Sequence, residues 1–154
     1  MTSPEERLAE LGLAVPEVAK PVAAYVPAVV SGDLVFTSGQ LPMRSGELMV
    51  TGKVGGEVSA EEATLCAQQC ALNAIAAVKS VVGDLSRVAQ VVKVVAFIAS
   101  TPDFTGQPQV ANGASELLGT VFGDAGVHAR SAVGVPVLPL DSPVEVEIVV
   151  RVAS

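Results

Sequence analysis

The 154-residue sequence predicts an α+β domain in which a six-stranded mixed β-sheet carries two helices on one face. Three observations support this prediction. The C-terminal quarter alternates apolar and polar residues with a period of two, which indicates half-buried strands. Two long amphipathic segments, each ended by a glycine, predict helices that cross between strands. Half of the residues are hydrophobic but only 3% are aromatic, so the core is expected to be aliphatic, as in sheets covered by helices.

The N-terminal segment predicts a short helix and a connecting arm, both part of one domain that spans residues 1–154. The run Ser3-Pro4-Glu5-Glu6 combines an N-cap serine, a proline at the first helical position and acids in the first turn. The helix is expected to extend to about Leu11 and to stop at Gly12. Residues 13–24 contain two prolines and are expected to form the arm, so residues 1–24 precede the sheet.

The other elements follow from turn signals, capping residues and hydrophobic periodicity. A capping box over residues 59–62 begins the first long helix, which is expected to end at Gly83. The strand after it is aliphatic at almost every position and is expected to be buried on both faces for most of its length. The predicted strands cover residues 25–30, 34–38, 48–50, 88–99, 128–139 and 144–152, and the long helices cover residues 59–82 and 109–122.

The last two strands define the sheet faces on which the functional prediction depends. In residues 144–152 the even positions are apolar, and Glu145 and Glu147 lie on the opposite face. In residues 128–139 the odd positions from 131 to 137, one serine and three valines, are mostly assigned to the core. Arg130 is then expected beside small residues, on the same face as the two glutamates. A planar guanidinium with open space in front of it could hold a small carboxylate.

The register of these two strands sets the expected distance between Arg130 and Glu145. A hairpin that pairs Val137 with Val144 places Glu145 opposite Pro136, well along the strand from Arg130. The two side chains would then be roughly 20 Å apart, at about 3.3 Å per residue. They could share a site only across a subunit boundary or through a strong curl of the sheet.

The charge and the cysteine content disfavour several classes of function. The net charge of −7 disfavours nucleic acid or an anionic membrane as the main partner. No stretch is expected to reach the length of a membrane span, because Lys93 interrupts the most apolar strand. The N-terminus lacks a basic-then-apolar signal pattern, which favours a cytoplasmic location. Cys66 and Cys70 lie far in sequence from the single histidine, His128, so they are expected to be core residues rather than metal ligands.

Several short motifs occur together in a characteristic order. Tyr25 precedes the first strand, Ser38-Gly39-Gln40 closes the second, and Gly83-Asp84-Leu85 follows the first long helix. The C-terminal quarter then carries Arg130-Ser131-Ala132-Val133-Gly134-Val135, Leu138-Pro139 and Val144-Glu145-Val146-Glu147. In this order and spacing, from about residue 25 to residue 152, the chain resembles the Rid (YjgF/RidA) family of small trimeric enamine/imine deaminases. It departs from the family at Ala132, where many deaminases carry cysteine, and at Gly134, where glutamate is commoner.

The resemblance implies a chorismate-mutase-like fold that assembles into a homotrimeric barrel with three sites between subunits. It implies hydrolysis of small 2-imino or 2-enamine acids, such as 2-iminopropionate or 2-aminoacrylate, to 2-oxo acids and ammonia, with no metal and no organic cofactor. Arg130 would pair with the substrate carboxylate, and Glu145, or less directly Glu147, would orient the attacking water. The residues implied to line the substrate site are Tyr25, Ser38, Gly39, Asn112 and Ala132.

Several of these residues also have simpler interpretations. Arg130 could be a surface strand residue in an ion pair, the two glutamates could be solvated, and Tyr25 could be a half-buried strand residue. His128 is interpreted as a turn residue rather than a catalytic base. The alternative function is a non-catalytic binding protein for small carboxylate metabolites, in which Glu145 is dispensable. An endoribonuclease is disfavoured by the pI of about 4.6 and by a content of one tyrosine, four phenylalanines and no tryptophan.

Overall fold

The structure is a computed structural model that describes residues 2–18 and 24–154. Part of the predicted arm, residues 19–23, lies outside the described residues. The helices are α1 (Pro4–Glu10), α2 (Ala60–Val82) and α3 (Gln107–Phe122). The strands are β1 (Ala28–Ser31), β2 (Leu34–Thr37), β3 (Met43–Arg44), β4 (Glu47–Leu48), β5 (Val88–Ala99), β6 (Ala129–Val135) and β7 (Val144–Val152).

The main sheet has five strands in the order β1-β2-β7-β5-β6, and β3 and β4 form a separate two-stranded hairpin. The prediction of one six-stranded sheet is therefore wrong in its strand count, although the mixed α+β architecture is confirmed. Among the strand pairs of the main sheet in the described residues, β5 and β6 are the parallel pair, because α3 connects them as a crossover. The hairpin turns at Ser45 and Gly46, both at positive φ, and each of its strands has two residues.

The predicted hairpin between the last two strands does not form, because β5 lies between β6 and β7. β5 pairs with β6 along one edge and with β7 along the other. As the longest and most aliphatic strand, it takes an interior place in which both edges can be hydrogen-bonded. The expected pairing of Val137 with Val144 is therefore wrong, so the distance between Arg130 and Glu145 that was derived from it loses its basis.

The helix α2 confirms its predicted boundaries and forms the centre of the core. The Ser59 hydroxyl accepts a hydrogen bond from the Glu62 N–H at 3.1 Å, and the Glu62 carboxylate accepts one from the Ser59 N–H at 3.3 Å. Gly83 ends the helix at a φ of 81°. Cys66 and Cys70 are buried, free thiols on this helix, as expected. Contrary to the sequence expectation, α2 is long and apolar enough to span a membrane, but 72% of its most apolar window is buried inside the protein, as in a core helix.

The helix α3 begins at Gln107, two residues earlier than predicted. The helix was expected to start after Pro108, but proline is well tolerated in the first turn of a helix, where its missing N–H has no intrahelical partner. The Gln107 side chain also stabilises this start, because its amide donates to the Phe104 carbonyl at 2.8 Å and to the Ser100 hydroxyl at 3.1 Å. α3 ends at Gly123, as predicted.

The sheet buries one face under α2 and α3 and leaves the other face open within the chain. In β7 the even positions are buried and the odd positions are half-buried or exposed. In β5 the same alternation leaves Val95 and Phe97 half-buried on the open face. The prediction that this strand is buried on both faces is therefore wrong for a single chain.

The face assignment of β6 is the reverse of the sequence prediction. Parallel pairing places Arg130 beside Val94 and Ala132 beside Ala96, and both β5 residues are buried under the helices. Val133 instead pairs with Phe97 on the open face and is 45% exposed. Alternation alone did not reveal this, because valines fit an apolar open face as well as they fit the core.

Candidate functional site

Arg130 lies on the helix-covered face of β6, at the edge of the sheet, where its guanidinium reaches α3. Its Nη1 donates to Asn112 Oδ1 at 2.7 Å and to Ser115 Oγ at 3.1 Å, and its Nη2 donates to the Pro108 carbonyl at 3.3 Å. All three acceptors are neutral. The ion pairs between described residues are Lys53–Asp141 and Lys79–Glu5, so the guanidinium has no carboxylate partner in the part of the chain that the structure describes.

His128 stands two residues before Arg130 and joins the same hydrogen-bonded group. Its Nδ1 lies 2.6 Å from the Gly126 carbonyl, and its Nε2 lies 2.9 Å from Ser115 Oγ. His128 was expected to be a turn residue, and Ser115 was not among the predicted site residues. Asn112 and Ser115 are three residues apart on α3, a spacing that places two side chains on one face of a helix, and this was the available signal.

The small residues of β6 let the start of α3 lie close to the strand. Ala132 is half-buried against the core on the same face as Arg130. At Gly134, a Cβ atom would lie 2.8 Å from Gln107 Nε2 and 2.9 Å from Ser100 Oγ, so the space of a side chain is already occupied. Glycine at this position therefore allows Gln107 to pack against the strand beyond Ala132.

Glu145 belongs to a second group of predicted site residues, on the open face of the sheet. It is half-buried and pairs with Phe97 of β5. Gly39 lies directly against it, because a Cβ atom at Gly39 would be 2.8 Å from Glu145 Cδ. Burial, and then the neighbouring Glu147 carboxylate, raise the pKa of Glu145 above its usual value. This carboxyl group therefore holds a proton more readily than a solvated glutamate does.

The segment around Ser38 positions Gly39 and brings Tyr25 near the same edge. Ser38 Oγ donates a hydrogen bond to the carbonyl of Val26 at 2.6 Å, and Val26 directly follows Tyr25 in the chain. Gln40 then forms a pair of backbone hydrogen bonds with Val146, the residue after Glu145. Tyr25 is 52% exposed and precedes β1 rather than lying in it, so it is not a half-buried strand residue.

The two groups of predicted site residues lie on opposite faces of the sheet. Residues that pair across neighbouring strands lie on the same face of the sheet. Arg130 pairs with Val94, which pairs with Ile148 on the helix-covered face, whereas Glu145 pairs with Phe97, which pairs with Val133 on the open face. The expectation that Arg130 shares a face with the glutamates is therefore wrong. β6 and β7 are also separated by β5, a distance of about 10 Å between strand axes. Within one chain, Arg130 and Glu145 do not face the same small molecule.

Comparisons with known proteins agree with this fold along almost the whole chain. The family described as "YjgF/chorismate_mutase-like, putative endoribonuclease" matches residues 5–152. The protein TCP17 of Trypanosoma cruzi is 43% identical over 145 residues, which cover 94% of this chain and 91% of that protein. A 2-iminobutanoate/2-iminopropanoate deaminase of Dermatophagoides farinae is 34% identical over 140 residues, covering 90% of this chain and 93% of that protein.

Among solved structures, the protein Atu1372 with unknown function from Agrobacterium tumefaciens is similar over 97% of this chain and 92% of its own. The TM-score is 0.92 and the sequence identity is 46%. The agreement extends over both groups of predicted site residues, since the matched family region begins before Tyr25 and ends after Glu147. The chain belongs to the YjgF/chorismate-mutase-like family.

Proposed function

We propose that the protein hydrolyses small 2-imino or 2-enamine acids to 2-oxo acids and ammonia, in sites assembled between copies of the chain. The observation that carries this proposal is the guanidinium of Arg130, which is held in place by neutral acceptors and lacks a carboxylate partner among the described residues. The family membership and the 34% identity to an imine deaminase support the same reaction class.

The Arg130 guanidinium still has donors to offer a substrate. A guanidinium carries five N–H donors, and three are used by Asn112, Ser115 and Pro108. The Nε–H and one Nη2–H remain, and Nε and Nη2 share an edge of the planar group. A carboxylate that bridges this edge would form two charge-assisted hydrogen bonds, the arrangement that makes arginine selective for planar oxyanions.

Glu145 would handle the protons of the hydrolysis. Its ionised carboxylate accepts a proton from water as the water oxygen bonds to the imine carbon, and the resulting carboxylic acid donates that proton to the nitrogen, which gives a carbinolamine. The carboxylate then accepts the carbinolamine hydroxyl proton and passes it to the nitrogen as the carbon–oxygen double bond forms and the carbon–nitrogen bond breaks. Imine and water thus become a 2-oxo acid and ammonia with no net change at the enzyme. The raised pKa suits both halves of this exchange, because a general acid–base works best with a pKa near the operating pH. Its contact with Gly39 favours Glu145 over Glu147 for this role.

The site would need two copies of the chain, because its two halves lie on opposite faces of one sheet. The open face carries exposed or half-buried apolar side chains, including Phe36 at 44% exposure, Phe97 and Val133. An apolar sheet face of this kind favours burial against another copy. We propose a homotrimer, with the number of copies taken from the family resemblance, in which Arg130 of one chain faces Gly39 and Glu145 of the next. Tyr25, Ser38, Asn112 and Ala132 would complete each of the three sites.

A second candidate is a non-catalytic binding protein for small carboxylate metabolites. The observation that favours it is the independence of the Arg130 group, which is complete without Glu145. In this case Arg130 would anchor the ligand, and the glutamates would only line the interface. The endoribonuclease description attached to the family has less support here, because a net charge of −7 opposes binding of a polyanion. The cytoplasmic location and the absence of a cofactor stay predictions.

The test is an assay in which 2-iminopropionate is generated in situ and the release of pyruvate is followed with and without the protein. Acceleration by the parent protein, with little or none from Glu145→Gln, supports the deaminase. Binding of pyruvate or benzoate by both proteins, with turnover by neither, supports the binding protein. Light-scattering mass, measured on each sample, shows whether the oligomer is intact. A parent oligomer that neither accelerates the reaction nor binds these acids contradicts both candidates, and strong, salt-sensitive RNA binding would restore the endoribonuclease.

A further inference from the structure

A chain of hydrogen bonds connects the Gly126 carbonyl to the Arg130 guanidinium through two side chains. A carbonyl oxygen only accepts, so the proton at the 2.6 Å contact belongs to His128 Nδ1. A neutral imidazole carries one N–H, so His128 Nε2 is an acceptor, and the Ser115 hydroxyl donates to it at 2.9 Å. With its proton directed at His128, the Ser115 oxygen presents a lone pair to Arg130 Nη1 at 3.1 Å.

Ser115 occupies an unusual position for a helical serine. Such a hydroxyl commonly donates back to the carbonyl four residues earlier. Among the hydrogen bonds of the described residues, the partners of Ser115 Oγ are instead His128 and Arg130, both outside α3. Ser115 and His128 are each half-buried, so water competes only partly for these bonds. The serine therefore joins the strand to the helix at the point where the guanidinium is held.

We propose that Ser115 and His128 are positioning residues, which fix the Nη1 side of Arg130 so that its Nε–Nη2 edge is presented to a substrate carboxylate. This inference rests on the proposed function of Arg130 as a carboxylate anchor. An arginine side chain at a sheet edge has many rotamers, and ordering such a side chain on binding lowers the affinity for the ligand. Here the fold supplies this order in advance, through Asn112 on one side and the Ser115–His128 pair on the other.

The first test reads the order of Arg130 directly and does not depend on any reaction. In a ¹⁵N-labelled sample, the Arg130 Nε–H signal is identified by its loss in Arg130→Lys, and its relaxation reports the mobility of the side chain on the picosecond-to-nanosecond timescale. We expect a restricted signal in the parent and a mobile one in Ser115→Ala. Ser115→Thr, which keeps the hydroxyl, is expected to remain restricted. An Arg130 signal that is equally restricted in Ser115→Ala overturns the positioning role.

The histidine offers a matched pair of variants. In His128→Gln the side-chain amide can reach the place of Nε2 and accept a hydrogen bond from Ser115. In His128→Asn the shorter side chain places its amide where Nδ1 was, so it can replace only the bond to Gly126. We expect His128→Asn to release Arg130 as Ser115→Ala does, and His128→Gln to retain more of its order. Equal effects of the two variants would contradict the assigned path through Nε2.

The second test measures the affinity for pyruvate or benzoate by calorimetry. We expect Ser115→Ala and His128→Asn to weaken binding about 3- to 10-fold, with KM raised more than kcat is lowered, and with the oligomer mass unchanged. If Arg130→Lys weakens binding but these variants do not, the positioning inference fails and the carboxylate anchor stands. If Arg130→Lys itself leaves the affinity unchanged, the proposed function fails, and the relaxation data still show whether Ser115 orders the arginine.

Discussion

Arg130→Lys is the substitution that best separates a carboxylate anchor from a structural arginine. Lysine keeps the positive charge but replaces the planar fork by a single ammonium, so it cannot bond Asn112, Ser115 and Pro108 while also bridging a carboxylate. At least one charge-assisted hydrogen bond to the ligand is lost. Such a bond contributes about 1.5–3 kcal/mol, so the affinity for pyruvate-like acids should fall roughly 10- to 150-fold.

The assay pairs calorimetric affinity with light-scattering mass and thermal unfolding on the same purified variant. The stability should change little, because Arg130 is half-buried at a sheet edge and its neutral partners can turn to water. Arg87→Lys is the matched control, since Arg87 is an exposed arginine whose side chain bonds, among the described residues, to the Val82 carbonyl alone. An Arg130→Lys variant that binds as tightly as the parent refutes the anchor, and one whose oligomer dissociates shows that the arginine supports the assembly instead.

Four further predictions concern the second half of the site and the core. Glu145→Gln should lower turnover about 100- to 10,000-fold while leaving affinity for pyruvate nearly unchanged, as measured by the coupled assay and calorimetry. Because the pKa of Glu145 is higher in the folded protein than in the unfolded chain, the parent loses stability as the pH rises above the unfolded pKa. The melting temperature of Glu145→Gln should therefore exceed that of the parent near pH 7, and this difference should disappear near pH 4. The reverse order of melting temperatures would contradict the raised pKa. Gly39→Ala should keep the fold but displace the Glu145 carboxylate and lower turnover, because its new Cβ would lie 2.8 Å from Glu145 Cδ. Gly113→Ala should cost about 1–3 kcal/mol in chemical unfolding, because its Cβ would lie against the Thr64 carbonyl, whereas Gly119→Ala on the same helix meets open space and should gain about 0.5–1 kcal/mol.

The sequence predicted best those features that local chemistry decides. α2 begins and ends where its capping box and Gly83 indicated, because a cap satisfies backbone groups within a few residues. The start of α3 was missed by two residues, since Pro108 marks a loop and a first helical turn equally well. The face of β6 was reversed because burial on the helix side is set by pairing with β5, a contact that no alternation within 128–139 reports.

The candidate site was predictable in its residues but not in its arrangement. The family motif singled out Arg130, Glu145 and Asn112, and the structure joins Arg130 to Asn112 directly. The motif could not indicate that Glu145 lies on the other face of the sheet. A motif specifies the order of residues along the chain, but it does not specify on which face of a sheet the side chains of two distant strands lie. Ser115 was missed for a similar reason, since its partners are distant in sequence and serine on a helix is usually unremarkable.

Because Arg130 and Glu145 lie on opposite faces of the sheet, two defective chains are expected to complement each other when they are assembled together. If each site takes its arginine from one copy and its glutamate from another, Arg130→Lys chains and Glu145→Gln chains are each impaired alone but can rebuild intact sites when they are unfolded and reassembled together. Random mixing in equal amounts leaves about one quarter of the interfaces with both parental residues. A chain that carries both substitutions has neither half to contribute, so it rescues neither partner. Sites confined to single chains would show no recovery in any mixture.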